Sequence, residues 1–291
     1  MNKEMTLAAV AGRIKSGMTI GIGGWGPRRK PMAIVREILR SDVTDLTVVA
    51  YGGPEVGMLC AAGKVKKLVF GFVTMDAIPL EPFYRKAREA GMLELMELDE
   101  GMLEWGLRAA GMRLPFLPTR CGLATDVLAK NPEIKTIASP YDDGEVLLAM
   151  PALELDVALL HVNDADRWGN TLITGRDAYF DALFARAAKE SFVSCERLQD
   201  KFSLTASEAK ANLFERYLVT GVVHAPGGAH PTLNNPDYGW DLAHMKTYAA
   251  AATEDGGWEA YRARYIAGGE EAYRHEAGLP ARLLDLQHPV F

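Results

Sequence analysis

Short β-branched runs alternate with amphipathic segments through most of this chain, and that alternation restricts its fold more than any other feature. An amphipathic helix over about 4–16 ends at Gly17-Met18 and is followed by a buried strand, Thr19-Ile20-Gly21-Ile22-Gly23. A helix over about 31–40 leads to the strand Leu46–Tyr51, which Gly52-Gly53-Pro54 breaks. A short helix near Met58-Leu59, a strand from Lys67 to Val73, a helix over 80–90, a strand over 92–98, a helix over 101–111 and a strand over 114–117 continue the series. Strands separated by helices of this size form βαβ units, which build a mainly parallel sheet covered on both faces.

The pattern changes in the middle. Lys135–Ala138 and Glu145–Met150 are short strands around Pro140-Tyr141-Asp142-Asp143-Gly144, a turn sequence that predicts a small antiparallel insert. The α/β rhythm resumes with a strand at Asp156–Val162, a helix over 178–189 and strands over 191–195 and 218–223. Residues 241–278 read as helical, with a charged face over a stripe of Trp258, Tyr261, Tyr265 and Tyr273. The expected fold is therefore an open, mainly parallel α/β sheet with a small antiparallel insert. No linker interrupts it, so residues 1–291 form a single domain in which 241–291 is a helical C-terminal extension.

Composition narrows the function. Of 291 residues, 48% are apolar and 24% charged, which is ordinary globular usage. The net charge of −6, without a long Lys/Arg run, argues against binding nucleic acid. Cys60, Cys121 and Cys195 form no CxxC pair, which argues against a disulfide framework or a cysteine zinc site. No signal-peptide pattern opens the chain and no apolar run is long enough to span a bilayer, so a cytoplasmic location without membrane attachment is expected.

Between the first strand and its helix lies Gly21-Ile22-Gly23-Gly24-Trp25-Gly26. Glycines there let a ligand approach the backbone, and a helix N-terminus beyond them suits an anion. The spacing formally fits a dinucleotide fingerprint, but Pro27-Arg28-Arg29-Lys30-Pro31 delays the helix, and Asp42 and Asp45 precede a strand instead of ending one. A tight structural turn and a substrate-cradling loop both remain open. So do the roles of two further loops, 164–170 and 225–241, as site loops or close-packing turns. His224, His230, Asp237 and His244 can be drawn as a metal cluster, but no ligand spacing supports one, and His161 in its apolar strand reads as a satisfied core histidine.

Several segments, in order, resemble the alpha subunit of family I coenzyme A transferases. They are Gly17–Gly26, Ala61–Leu68, Leu107–Gly111 with Leu114–Arg120, Ala165-Asp166-Arg167 with Gly169-Asn170, and Pro226–Pro231 with Pro236–Asp241. None is specific alone; their order over residues 5–245 is. The resemblance implies a subunit that pairs with a homologous beta subunit, commonly as an α2β2 heterotetramer, with the active site between subunits. It implies a CoA-thioester substrate, with the coenzyme A part of the substrate and no separate cofactor. The glutamate that carries CoA in transferases belongs to the beta half.

Glu104 departs from the small residue usual at that position in transferases and resembles a steroid ring-cleaving hydrolase branch of the family. That branch opens a cyclohexenone carboxyl-CoA thioester by adding water and breaking a C–C bond. Such chemistry needs a general base beside the water and N–H donors near the developing oxyanion. The base would be Glu104, if burial raises its pKa; read without the resemblance, Glu104 is a helix-terminal surface acid. Gly23, Gly24, Trp25 and Gly26 would supply backbone donors or shape the acyl pocket. Arg120 would pair with a substrate carboxylate, or simply with a neighbouring acid, and Cys121 beside it is a further substrate-binding candidate. The alternatives are an ordinary CoA transferase subunit and a non-catalytic half whose partner performs the reaction.

Overall fold

The computed structural model describes residues 2–176, 178–203 and 214–288. Seven strands form one parallel sheet: β1 (Thr19–Ile22), β2 (Leu46–Gly52), β3 (Val65–Val73), β4 (Glu94–Glu97), β8 (Leu155–Asp166), β10 (Ala188–Gln199) and β11 (Gly221–His224). Their order is β11-β10-β8-β1-β2-β3-β4, and the short β9 (Thr171–Leu172) pairs antiparallel with β8. β5 (Phe116–Thr119), β6 (Lys135–Ala138) and β7 (Val146–Pro151) form a separate antiparallel sheet in the order β5-β7-β6.

One face of the large sheet carries α2 (Met32–Arg40), α3 (Pro54–Ala61) and α4 (Pro82–Glu89), which share a core with Ile20, Val48 and Phe70. The opposite face carries α5 (Glu100–Gly111) and α7 (Asp181–Ala187), packed on Val49, Ala158 and Leu160. In α2, Ile34, Val35, Ile38 and Leu39 are all buried, the i, i+4 spacing that puts side chains on one helical face. α1 (Leu7–Ala11) and α6 (Asp126–Lys130) are single short turns capped by Thr6 and Thr125.

The C-terminal helices α8 (Leu242–Ala251), α9 (Gly257–Tyr265) and α10 (Gly269–Glu276) join the α2–α4 core through Tyr248, Tyr261, Tyr265 and Tyr273. Two buried polar clamps fix them there. Arg36 of α2 pairs with Glu270, donates to the His230 carbonyl at 2.9 Å, and lies 3.6 Å from the centre of the Tyr273 ring. Glu81, fully buried, caps α4 through the Tyr84 amide at 2.6 Å and accepts from the Tyr248 hydroxyl at 2.7 Å.

Burial raises the Glu81 pKa from 4.5 to about 7, against the opposing pull of those hydrogen bonds. The native state therefore holds a proton that the unfolded chain has released, and this share of stability falls as pH rises from about 4.5 to about 7. The loss expected from this group is roughly 3 kcal/mol, and Glu81→Gln removes it. Urea denaturation of both proteins at pH 5 and pH 7.5 measures the difference.

Two sequence expectations are corrected. The first helix spans only 7–11 instead of about 4–16, because Gly12 caps it and Lys15 to Met18 form turns. The segment expected as a strand over 114–117 is β5, and it leaves the parallel series to pair with β7 in the antiparallel sheet.

Candidate functional site

β1 and β8 are neighbours, and the chain leaves them in opposite directions across the sheet, toward β2 on one side and β10 on the other. Ligands of open α/β sheets bind in the crevice beyond the carboxyl ends of strands at such a reversal. The glycine turn Gly23–Gly26 leaves β1 at that point.

The turn is braced from many directions. The Gly23 amide donates to the Leu159 carbonyl at 2.9 Å, and the Gly24 amide to Asp181 Oδ1 at 2.9 Å. The Trp25 amide donates to the Arg28 carbonyl at 3.1 Å, and the Gly26 amide to the Tyr51 carbonyl at 3.1 Å. All four amides are engaged within the chain, so the expectation that this turn supplies backbone donors is not met in this conformation. The turn offers shape, and the same geometry leaves a pyrophosphate no amides to bind. The N-terminus of α2 is closed as well, since Ala33 donates to the Gly228 carbonyl at 2.8 Å. The Arg29 guanidinium, almost wholly buried, pairs with buried Asp181 and donates to the His161 carbonyl at 2.9 Å.

Gly24 has φ +74°, and a methyl group there would overlap the Arg28 carbonyl oxygen. Gly24→Ala therefore combines backbone strain with a clash against main chain. It is expected to cost at least about 2 kcal/mol, read from the urea midpoint.

Aromatic rings and acids surround the turn. Trp25 packs edge-on against Phe72 with centroids 4.8 Å apart and stacks on Tyr179 at 6.3 Å, while Arg28 lies over its ring at 4.6 Å and pairs with Asp76 at 2.5 Å. Tyr51, at the end of β2, stacks on Phe180 at 4.7 Å and donates its hydroxyl to the Glu100 carbonyl at 2.9 Å.

α5 approaches from the other side. Asp99 caps it through the Met102 amide at 2.7 Å, which sets its first turn against β2 and β3. Glu104 is half-buried and accepts from Arg108 Nη2 at 2.5 Å. Burial, and then the charges of Glu104, Glu100 and Asp99, push the Tyr51 hydroxyl far above its ordinary pKa. Glu100 lies one turn before Glu104, so both acids share a helical face. Glu100 is exposed overall; the part of its carboxyl group that is buried, and then Asp99, raise its pKa, while the neighbouring Trp25 indole, as a hydrogen-bonding partner, pulls it down. Sequence reading selects Glu104 and passes over Glu100, although their i, i+4 spacing is visible there.

Cys121 is exposed and its Sγ sits against Gly101, where a Cβ would come within 2.7 Å of it. Cys121 thus lies against the first turn of α5, the helix that carries Glu104, and Glu104 is close enough to Tyr51 at the end of β2 for their charges to interact. Arg120 points elsewhere: its side chain is 76% exposed and makes two hydrogen bonds to Glu145, at 2.5 and 2.8 Å.

The other sequence candidates are structural. The 225–241 run braces the glycine turn, with the Arg29 amide donating to the Leu233 carbonyl at 2.7 Å and the Leu233 amide to the Pro27 carbonyl at 3.1 Å. In the 164–170 turn, Asp166 Oδ1 accepts from the Trp168 and Asn170 amides, both at 2.9 Å, whereas Asp164 pairs with Arg197. His161 is a satisfied core residue, 2.9 Å from both Ser194 Oγ and Glu196 Oε1.

His230 and His244 do come together, but with Asp241, not with His224 and Asp237. His230 uses both ring nitrogens, toward the Tyr273 hydroxyl at 2.6 Å and Asp241 at 3.0 Å, and His244 Nε2 lies 2.8 Å from the Tyr261 hydroxyl. Burial lowers the pKa of His230 and takes that of His244 down to about 3. Burial opposes ionisation of Asp241, yet hydrogen bonds from His230 and Arg282 hold its pKa well below the carboxylate range. This trio is a hydrogen-bond hub joining the 225–241 run to α8–α10.

The chain belongs to the coenzyme A transferase family, whose model, described as Coenzyme A transferase, matches residues 3–225. It is 50% identical over 280 residues to the cholesterol ring-cleaving hydrolase IpdA subunit of Rhodococcus jostii, covering 94% of this chain and 95% of that one. Glutaconate coenzyme A-transferase from Acidaminococcus fermentans superimposes with a TM-score of 0.87 at 28% identity, over 98% of this chain and 95% of that chain. A variant of the decarboxylase AibA/AibB does so with a TM-score of 0.78 at 28% identity, over 91% and 100%. Among the described residues, no helix is long and apolar enough to cross a membrane.

Proposed function

We propose that this chain is the alpha subunit of a heteromeric, cytoplasmic hydrolase that opens the last steroid ring, a cyclohexenone carboxyl-CoA thioester, by adding water and cleaving a C–C bond. The observation that carries the reading is the half-buried Glu104 on α5, electrostatically coupled to Tyr51 at the end of β2, in a chain half identical along nearly its whole length to a ring-cleaving hydrolase subunit. Glu104 takes the proton of water, and the hydroxide adds to the ring ketone. The C–C bond then breaks with its electron pair held as the thioester enolate. The only coenzyme is the CoA of the substrate. The braced turn Gly23–Gly26 shapes the acyl pocket through the Trp25 ring. Cys121, against the first turn of α5, faces the side that a homologous beta subunit, as α2β2, would close. Arg120, exposed and paired with Glu145, would have to leave that partner and turn toward the pocket to meet a substrate carboxylate.

The test is co-purification with the beta partner and mass-spectrometric assay of the thioester. Ring-opened product carrying one oxygen from labelled water supports the reading. Transfer of CoA to an added carboxylate, with a beta-subunit thioester trapped by hydroxylamine, would instead make it a transferase. The structural match to glutaconate coenzyme A-transferase keeps that second reading in view.

A further inference from the structure

We propose that Glu100 is the second proton-transfer group of the site, a general acid one helical turn from Glu104; this rests on the reading of Glu104 as the base. Three observations support it. Both carboxyl groups stand on one face of α5 at i, i+4. The Trp25 indole, from the turn at the sheet reversal, is a hydrogen-bonding neighbour of Glu100, which ties this acid to the crevice. The Tyr51 hydroxyl donates to the Glu100 carbonyl at 2.9 Å and fixes that first turn.

The two acids have different company. Glu104 is held by the Arg108 guanidinium. Glu100 is faced by Asp99 and, one turn on, Glu104 of its own helix, by the Tyr51 hydroxyl from β2, and by the Trp25 indole as a hydrogen-bonding partner; Cys121 lies against the next residue, Gly101. Partial burial and Asp99 favour its protonated form and together outweigh the Trp25 hydrogen bond, which favours the carboxylate. Paired carboxyl groups whose surroundings separate their proton affinities divide acid and base roles between them.

The step balances. Water gives one proton to Glu104, and its oxygen bonds to the ring ketone carbon. The C–C bond breaks, and its electron pair moves to the carbon alpha to the thioester. Glu100 protonates that carbon. The new carboxylic acid loses its proton to solvent, and the proton on Glu104 passes through water to Glu100, which resets the pair.

The experiment compares Glu100→Gln, Glu100→Asp and Glu104→Gln in the complex assembled with the beta partner, using the cyclohexenone carboxyl-CoA thioester. Glu100→Gln is expected to lower kcat about 100-fold or more with KM within about threefold, and to erase the alkaline limb of the kcat–pH profile. Glu100→Asp should recover part of the rate and the limb. A wild-type rate in Glu100→Gln alongside an inactive Glu104→Gln overturns the role of Glu100 and leaves Glu104 standing. A slow Glu100→Gln that keeps its alkaline limb also overturns it, reducing Glu100 to an anchor for Trp25. A wild-type Glu104→Gln defeats the underlying reading itself. Should Glu100→Gln not assemble, a Glu100→Asp enzyme with wild-type kcat and an alkaline limb at the wild-type pH overturns the proposal, whereas a slower enzyme with a displaced limb supports it.

Discussion

Glu104→Gln, assembled with the beta partner, is expected to lower kcat for ring opening by about 10²- to 10⁴-fold, the range that a positioned general base supplies. Glutamine keeps the volume of glutamate and an oxygen that accepts from Arg108, but it cannot take a proton from water. The ion pair it weakens is half-exposed, with side chains 42% and 24% accessible, so stability should change by less than about 1 kcal/mol. Lost turnover with an unchanged melting temperature and normal co-purification would therefore report chemistry. A kcat within about threefold of wild type removes Glu104 from the mechanism.

The largest stability effect is expected beneath the glycine turn. Lys30 and Glu55 are both completely buried and pair at 2.8 Å. Lys30 Nζ also donates to the Tyr51 carbonyl at 2.6 Å, the oxygen that receives the Gly26 amide, and Glu55 accepts from the Gly53 amide at 3.1 Å. Burial lowers the Lys30 pKa and raises that of Glu55, and each charge opposes the shift of the other. Lys30→Met leaves Glu55 buried without its cation and should cost about 3–5 kcal/mol near neutral pH. Acidification should then restore stability, because the orphaned carboxyl is tolerated only when protonated. Lys30→Met with Glu55→Gln should recover at least half of the loss. Urea titrations of the single and double variants measure the coupling, and a loss below about 1 kcal/mol in Lys30→Met would show that the pair does not hold the turn.

Local pattern made much of this fold legible. The alternation from Thr19 to Val73 and the i, i+4 stripe of α2 required βαβ units, and the helices and strands formed there. What failed was information carried by partners remote in sequence. Nothing near Phe116 reveals that its strand pairs with Pro151, in the smaller sheet. Glycines at 23, 24 and 26 advertise free amides, yet their acceptors lie at Leu159, Asp181 and Tyr51. His230 and His244 suggested a cluster, but Asp241, Tyr261 and Tyr273 determine what it does, and only packing brings those side chains in. Glu104 stood out by resemblance, whereas Glu100 required knowing that Trp25 reaches the first turn of α5.

The saturated amides of the glycine turn bear on how chemistry is shared in the proposed assembly. An enolate or alkoxide oxygen arriving beside Trp25 finds every main-chain amide of residues 23–26 already engaged, so its charge must be quenched by side chains or by groups outside that turn. Under that assembly, the companion polypeptide lining the other wall decides which intermediate survives. Interchanging companions between ring-opening, CoA-moving and decarboxylating relatives should then redirect the product while the turn stays as it is.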